Sequence, residues 1–99
     1  MSIAERNDAF RRSIPYSDNP RNKVFLTRGI FAEYSDSEIA DIITMVRNFG
    51  SFNEENNCYG ENDFGKIVYL GRDIFWKIDD YAGQEDTELV MTIMLSEEY

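Results

Sequence analysis

The chain has 99 residues, enough for one hydrophobic core and too few for two. Its apolar (42%) and aromatic (14%) content exclude a disordered acidic chain, and its single cysteine excludes an internal disulfide. Ten Lys and Arg against 19 Asp and Glu, with no His, give a net charge of −9, which argues against direct binding of nucleic-acid phosphates.

In chain order, residues 2–12 read as a short helix. Ser2 and Glu5 make a capping box, and Ile3 and Phe10 lie two turns apart on one face. Residues 15–22, with two prolines among Ser, Asp and Asn, read as a loop. Lys23 to Thr27 reads as a strand that Arg28-Gly29 ends or bends. Ser35 and Glu38 form a second capping box before Ile39, Ile42, Ile43, Val46 and Phe49, one apolar stripe on a helix from Asp36 to Asn48. Arg47 in its last turn complements the helix dipole, and Gly50 terminates it.

Residues 50–65 read as a loop rich in Gly and Asn. Ile67 to Leu70 and Ile74 to Ile78 read as a β-hairpin around a Gly71-Arg72 or Arg72-Asp73 turn. Residues 79–86 form an acidic turn, and Thr87 to Leu95 a last strand. The last two strands are apolar on nearly both faces, which predicts central positions in a sheet. The expected architecture is a single α+β domain over residues 1–99. An antiparallel sheet of three or four strands carries one main helix, and a short N-terminal helix and loop (1–22) precede the core (23–99).

Charge is divided unevenly along the chain. Residues 1–30 hold six basic and three acidic residues, a net of +3; residues 31–99 hold four basic and sixteen acidic, a net of −12. From Asp79 to Tyr99 there are seven acids and no base. Such a body projects a negative field that steers basic partners.

Signals for chemistry are few. The absence of His removes His-based acid–base and nucleophilic catalysis, and one cysteine makes no thiolate zinc site. Cys58, among acids and without a His, reads as a spectator. The paired carboxylates Glu54-Glu55, Asp79-Asp80 and Glu85-Asp86 read as solvated loops. Asn53, Glu55, Asn57, Glu61 and Asp63 are oxygen donors, but counting from Asn53 puts Cys58 at position six and Phe64 at position twelve, so an EF-hand fails. No phosphate-binding glycine motif occurs. Neither a cofactor nor a metal is expected, nor an enzyme. No apolar run approaches the roughly 20 residues of a membrane span, and Met1 to Arg12 has no signal-peptide core, so a cytoplasmic protein is expected.

Four segments carry a resemblance: Thr27-Arg28-Gly29, Gly60-Glu61-Asn62-Asp63-Phe64-Gly65, Phe75-Trp76-Lys77-Ile78-Asp79, and Thr92-Ile93-Met94-Leu95-Ser96-Glu97-Glu98-Tyr99. Through them the chain resembles a small bacterial family, domain of unknown function 3768, which carries a His where this chain has Asn62. The family has no assigned activity, so the resemblance transfers no catalytic role. It implies a protein of the kind encoded on plasmids, phages and other mobile elements. Small acidic proteins of that origin resemble, as a class, nucleic-acid mimics that block host defence complexes, anti-CRISPR proteins among them.

The expectation is therefore a non-enzymatic inhibitor that acts in the bacterial host cell as a monomer or homodimer. It binds a protein complex with a basic nucleic-acid-binding surface, a CRISPR effector or similar, and blocks DNA access by mimicry. The candidate contact residues are Glu54, Glu55, Tyr59, Glu61, Asp63, Asp79, Asp80, Tyr81, Glu85, Asp86, Glu88, Glu97 and Glu98. One alternative is an accessory interaction domain that pairs with itself through a sheet edge or helix face. Another is a small enzyme or cation module centred on Gly60–Gly65.

Overall fold

Two capping boxes fix where helices begin. Ser2 Oγ accepts from Glu5 N at 3.1 Å while Ser2 N donates to Glu5 Oε1 at 3.3 Å, which starts α1 (Ile3–Ser13). Ser35 and Glu38 repeat the exchange at 3.3 and 2.9 Å. The structure is a computed structural model that describes residues 2–53, 55, 57–81 and 88–99. In order the elements are α1, β1 (Lys23–Leu26), α2 (Arg28–Glu33), α3 (Asp36–Arg47), β2 (Phe64–Tyr69), β3 (Arg72–Asp80), β4 (Leu89–Leu95) and a 3-10 turn, Ser96–Glu98.

The strands form one sheet in the order β1-β4-β3-β2. β3 and β4 are central, as their two-faced apolar character predicts. The sheet is mixed, which corrects the expected antiparallel arrangement: β1 runs parallel to β4, with Lys23 beside Val90 and Leu26 beside Ile93. A tight hairpin dictates direction only between β2 and β3. β1 leads instead into two helices, and a strand followed by helices is free to enter the sheet parallel.

The hairpin turn also lies earlier than either turn the sequence suggests, by one residue from Gly71-Arg72 and two from Arg72-Asp73. Tyr69 pairs with Arg72, and Leu70 (φ 49°) and Gly71 (φ 79°) make the turn. Left-handed conformation at both central residues is the pairing that matches the twist of the flanking strands.

All three helices lie on one face. There Phe10 and Ile14 of the N-terminal segment, Ile30 of α2 and Ile39, Ile42 and Val46 of α3 join Ile67, Ile74, Trp76, Ile78, Leu89, Met91, Ile93 and Leu95 in one core. Trp76 is fully buried against Gly65, where a Cβ would overlap the indole nitrogen. α1 docks by Asn7, Phe10 and Arg11, whereas Ile3, a turn further out, stays 49% exposed. The Ile3–Phe10 face thus reaches the core only at its inner end.

The short helix α2 has no counterpart in the sequence reading, because its cap is not local. Thr27 makes no side-chain cap of its own. Instead Glu98, some 70 residues on, accepts from Gly29 N at 3.0 Å and from the Thr27 hydroxyl at 2.5 Å.

Among the described residues no helix covers the other face of the sheet. It displays Phe25, Phe64, Phe75 and all three lysines of the chain, Lys23, Lys66 and Lys77. Tyr99 folds back over it, edge-on to Phe64 (5.8 Å) and Phe75 (5.6 Å).

Candidate binding surface

Two groups of acidic residues lie near the two ends of β3. β3 runs nine residues from Arg72 to Asp80, so its ends stand about 26 Å apart at the usual rise per residue.

At the far end of β3 the structure brings together Asp79, Asp80, Tyr81 and Glu88, all candidates from the sequence. Each carboxylate there already has a cation within the chain. Lys77 pairs with Asp79 at 3.2 Å, and Arg6 of α1 reaches Asp80 at 3.4 Å and Glu88 at 3.7 Å. Glu88 also accepts from the Asn19 amide at 2.7 Å, and its backbone oxygen accepts from Tyr81 N at 2.7 Å. The acid run that carries no base in sequence is thus met by an arginine from the opposite terminus. Glu85 and Asp86 lie outside the described residues, as does Glu54.

The remaining candidates are dispersed. Glu55 and Tyr59 are exposed, Tyr59 at 87%. Glu61 and Asp63 are half-buried, and their main chains hold the loop in place: Asn7 donates to Glu61 O and Ile78 N to Asp63 O, both at 2.8 Å. Glu97 pairs with Arg72, and Glu98 is committed to the α2 cap and to the Leu95 amide.

 The Leu95 amide donates to Glu98 Oε1 at 2.9 Å, and Arg72 lies on Glu97 Oε1. With these donors, first among them the Thr27 hydroxyl, the Glu98 carboxyl is held below its ordinary pKa.

The hairpin end is acidic in a different way. Arg72 bridges Glu33 of α2 (2.9 Å) and Glu97, Asp41 and Glu38 of α3 act on its strand partner Tyr69, and Asp73 follows Arg72 in β3. Tyr69 reports the local field. Its hydroxyl donates to Asp41 at 2.8 Å, and that bond, partial burial and the charges of Asp41 and Glu38 push its pKa up to about 12. Of these acids only Glu97 was singled out from the sequence. The available signal was the spacing of Glu38 and Asp41, three apart on the solvent side of α3, but their approach to Tyr69 and Arg72 depends on how α3 crosses the hairpin.

Beneath the surface, α1 and the 57–63 loop share a polar network. Arg11, 1% exposed, donates to Arg47 O at 2.8 Å and Val46 O at 3.3 Å at the end of α3, and pairs with Asp8 at 3.1 Å. Asp8 accepts from Asn62 at 3.1 and 3.2 Å, and Asn62 exchanges bonds with Asn57 at 2.6 and 2.9 Å. The guanidinium stacks over Phe52 and Trp76. These bonds fix the loop to α1, although the buried Arg11 Nε has no hydrogen-bond partner among the described residues. Cys58 is exposed. Among the described residues no three His, Cys, Asp or Glu side chains are grouped to hold a metal ion, and no helix is long and apolar enough to cross a membrane.

Neither a curated protein nor a solved structure matches the chain. A family model described as "Protein of unknown function (DUF3768)" matches residues 26–98, which takes in α2, α3 and the whole sheet apart from the first residues of β1 and leaves out α1. The chain belongs to that family.

Proposed function

We propose that the chain is a non-enzymatic inhibitor of a nucleic-acid-handling defence complex, of the anti-CRISPR type. In this reading its hairpin end enters the complex's basic groove and excludes DNA. The observation that supports it is the placement of charge. Glu33 and Glu97 share Arg72, with Glu38 and Asp41 gathered at the neighbouring Tyr69, whereas Asp79, Asp80 and Glu88 at the opposite end of β3 pair with Lys77 and Arg6. A carboxylate surface of this kind competes with phosphates for lysine and arginine, associates fast and weakens with salt.

The test is capture of a partner from nuclease-treated bacterial lysate on the immobilised protein, followed by elution with duplex DNA or salt. A DNA-binding complex released by both agents is the expected result. A complex that resists both agents would place the contact elsewhere. A second reading, an interaction domain that pairs with itself, is favoured by one observation: β1 has a sheet neighbour on one side only.

A further inference from the structure

β1 pairs with β4 and leaves its other edge open. Thr27 N donates to Ile93 O at 3.1 Å, and the two-residue repeat of a parallel ladder turns Phe25 and Lys23 toward β4 as well. The N–H and C=O of Val24 and Leu26 therefore point away from the sheet. Beside them runs an apolar groove of about 540 Å³, lined by Pro15, Tyr16 and Ile43 together with β1 itself. Phe25 is 57% exposed and Tyr16 86% exposed at its rim.

We infer that a second copy of this chain occupies this edge, β1 against β1, antiparallel about a two-fold axis at Phe25. Three features of the edge fit that occupant. Val24 stands opposite Leu26 of the second copy and Leu26 opposite its Val24, so every outward main-chain group of both residues gains a partner. Phe25 meets its own counterpart in the close, non-hydrogen-bonded position, an aromatic cross-strand pair. Lys23 stands opposite Thr27 of the second copy, whose hydroxyl already holds the Glu98 carboxylate at 2.5 Å. Lysine thus faces carboxylate twice across the axis. Lys23 Nζ donates to Pro20 O at 2.9 Å and keeps two further donors for that contact. The product is a continuous eight-stranded sheet with both hairpin ends facing outward. The inference does not depend on the inhibitor reading, and either can fail alone.

Sedimentation equilibrium of the full chain over a range of micromolar concentrations tests it. The expected species has twice the 11.6 kDa chain mass. Phe25→Lys, which sets like charges against each other at an exposed position, returns it to the monomer, and Lys23→Glu weakens it. In a Cys58→Ser background, Phe25→Cys oxidises to a covalent dimer, because the closest antiparallel pairs have Cα atoms about 4.5 Å apart, within disulfide range. Val68→Cys, 54% exposed on the opposite edge strand, does not. A monomer at every concentration overturns the inference, as does a dimer that survives Phe25→Lys or crosslinks equally through position 68. A monomer whose Val24 and Leu26 amides become protected from hydrogen exchange by added extended peptides also overturns it, since the occupant is then a different chain.

Discussion

The two ends of β3 differ less in their acids than in their counter-charges. At the far end, Asp79, Asp80 and Glu88 meet Lys77 and Arg6. At the hairpin end, Glu33 and Glu97 share Arg72, and Asp41 accepts from the Tyr69 hydroxyl. In the sequence the far end looks the more acidic, because Asp79 to Tyr99 contains no base. A charge run therefore predicts a field only when the fold brings no opposite charge to it. Here α1 carries Arg6 across 74 positions of sequence to Asp80.

The largest test of this contrast is a matched pair of charge reversals. Asp41→Lys/Asp73→Lys and Asp79→Lys/Asp80→Lys change the net charge equally. If the hairpin end makes the contact, the first pair lowers affinity for a captured partner at low salt by about tenfold or more, and the second by less than about threefold. Melting curves that remain cooperative confirm that both variants fold. Equal losses would mean that net charge alone decides binding.

Glu98 shows the same end at work inside the molecule. Glu98→Gln removes the charge that holds Thr27, Gly29 and Leu95, and should cost about 1 kcal/mol after allowance for solvent screening. Because the folded pKa of Glu98 is lowered, its contribution is complete above the ordinary glutamate pKa of about 4.3 and is lost as pH falls through the lowered value. Acid titration of stability should show a step in the parent that the Gln variant lacks.

Tyr69 sharpens the comparison from the alkaline side. Its folded pKa of about 12 exceeds the unfolded value of about 10. The stability it contributes is therefore complete below pH about 10 and disappears as pH rises toward 12. A phenolate absorbance step near pH 12 should vanish in Tyr69→Phe and move to lower pH in Asp41→Asn. Persistence of the step in both variants would assign it to another tyrosine.

The smallest effect is expected from Arg6→Ala. Its ion pairs are partly exposed, so the stability loss should stay under about 1 kcal/mol. The far end, left with Lys77 alone, should then attract cationic probes more strongly. An unchanged response would show that Arg6 does not screen Asp80 and Glu88.

Much of the fold was legible because its signals are local. The Ser2–Glu5 and Ser35–Glu38 boxes mark helix starts, and the Ile39–Val46 stripe marks the buried side of α3. The apolar alternation of β3 and β4 marks central strands. What escaped depends on distant residues. α2 is capped by Glu98, the direction of β1 is decided where it meets β4, and the turn at Leu70-Gly71 follows the register of the whole hairpin. The candidate surface escaped for the same reason. Glu33, Glu38, Asp41 and Asp73 are scattered over 41 positions and converge only when α2, α3 and β3 pack, whereas the adjacent pair Asp79-Asp80 is conspicuous in sequence and neutralised in the fold.

The most direct measurement of this contrast is the near-surface potential at individual backbone amides, read by NMR from the relaxation that cationic and anionic nitroxide probes induce. The amides of Glu33, Asp41, Asp73 and Glu97 should sense a distinctly more negative potential than those of Asp79, Asp80 and Glu88. Equal potentials at the two ends, or a more negative far end, would contradict the contrast.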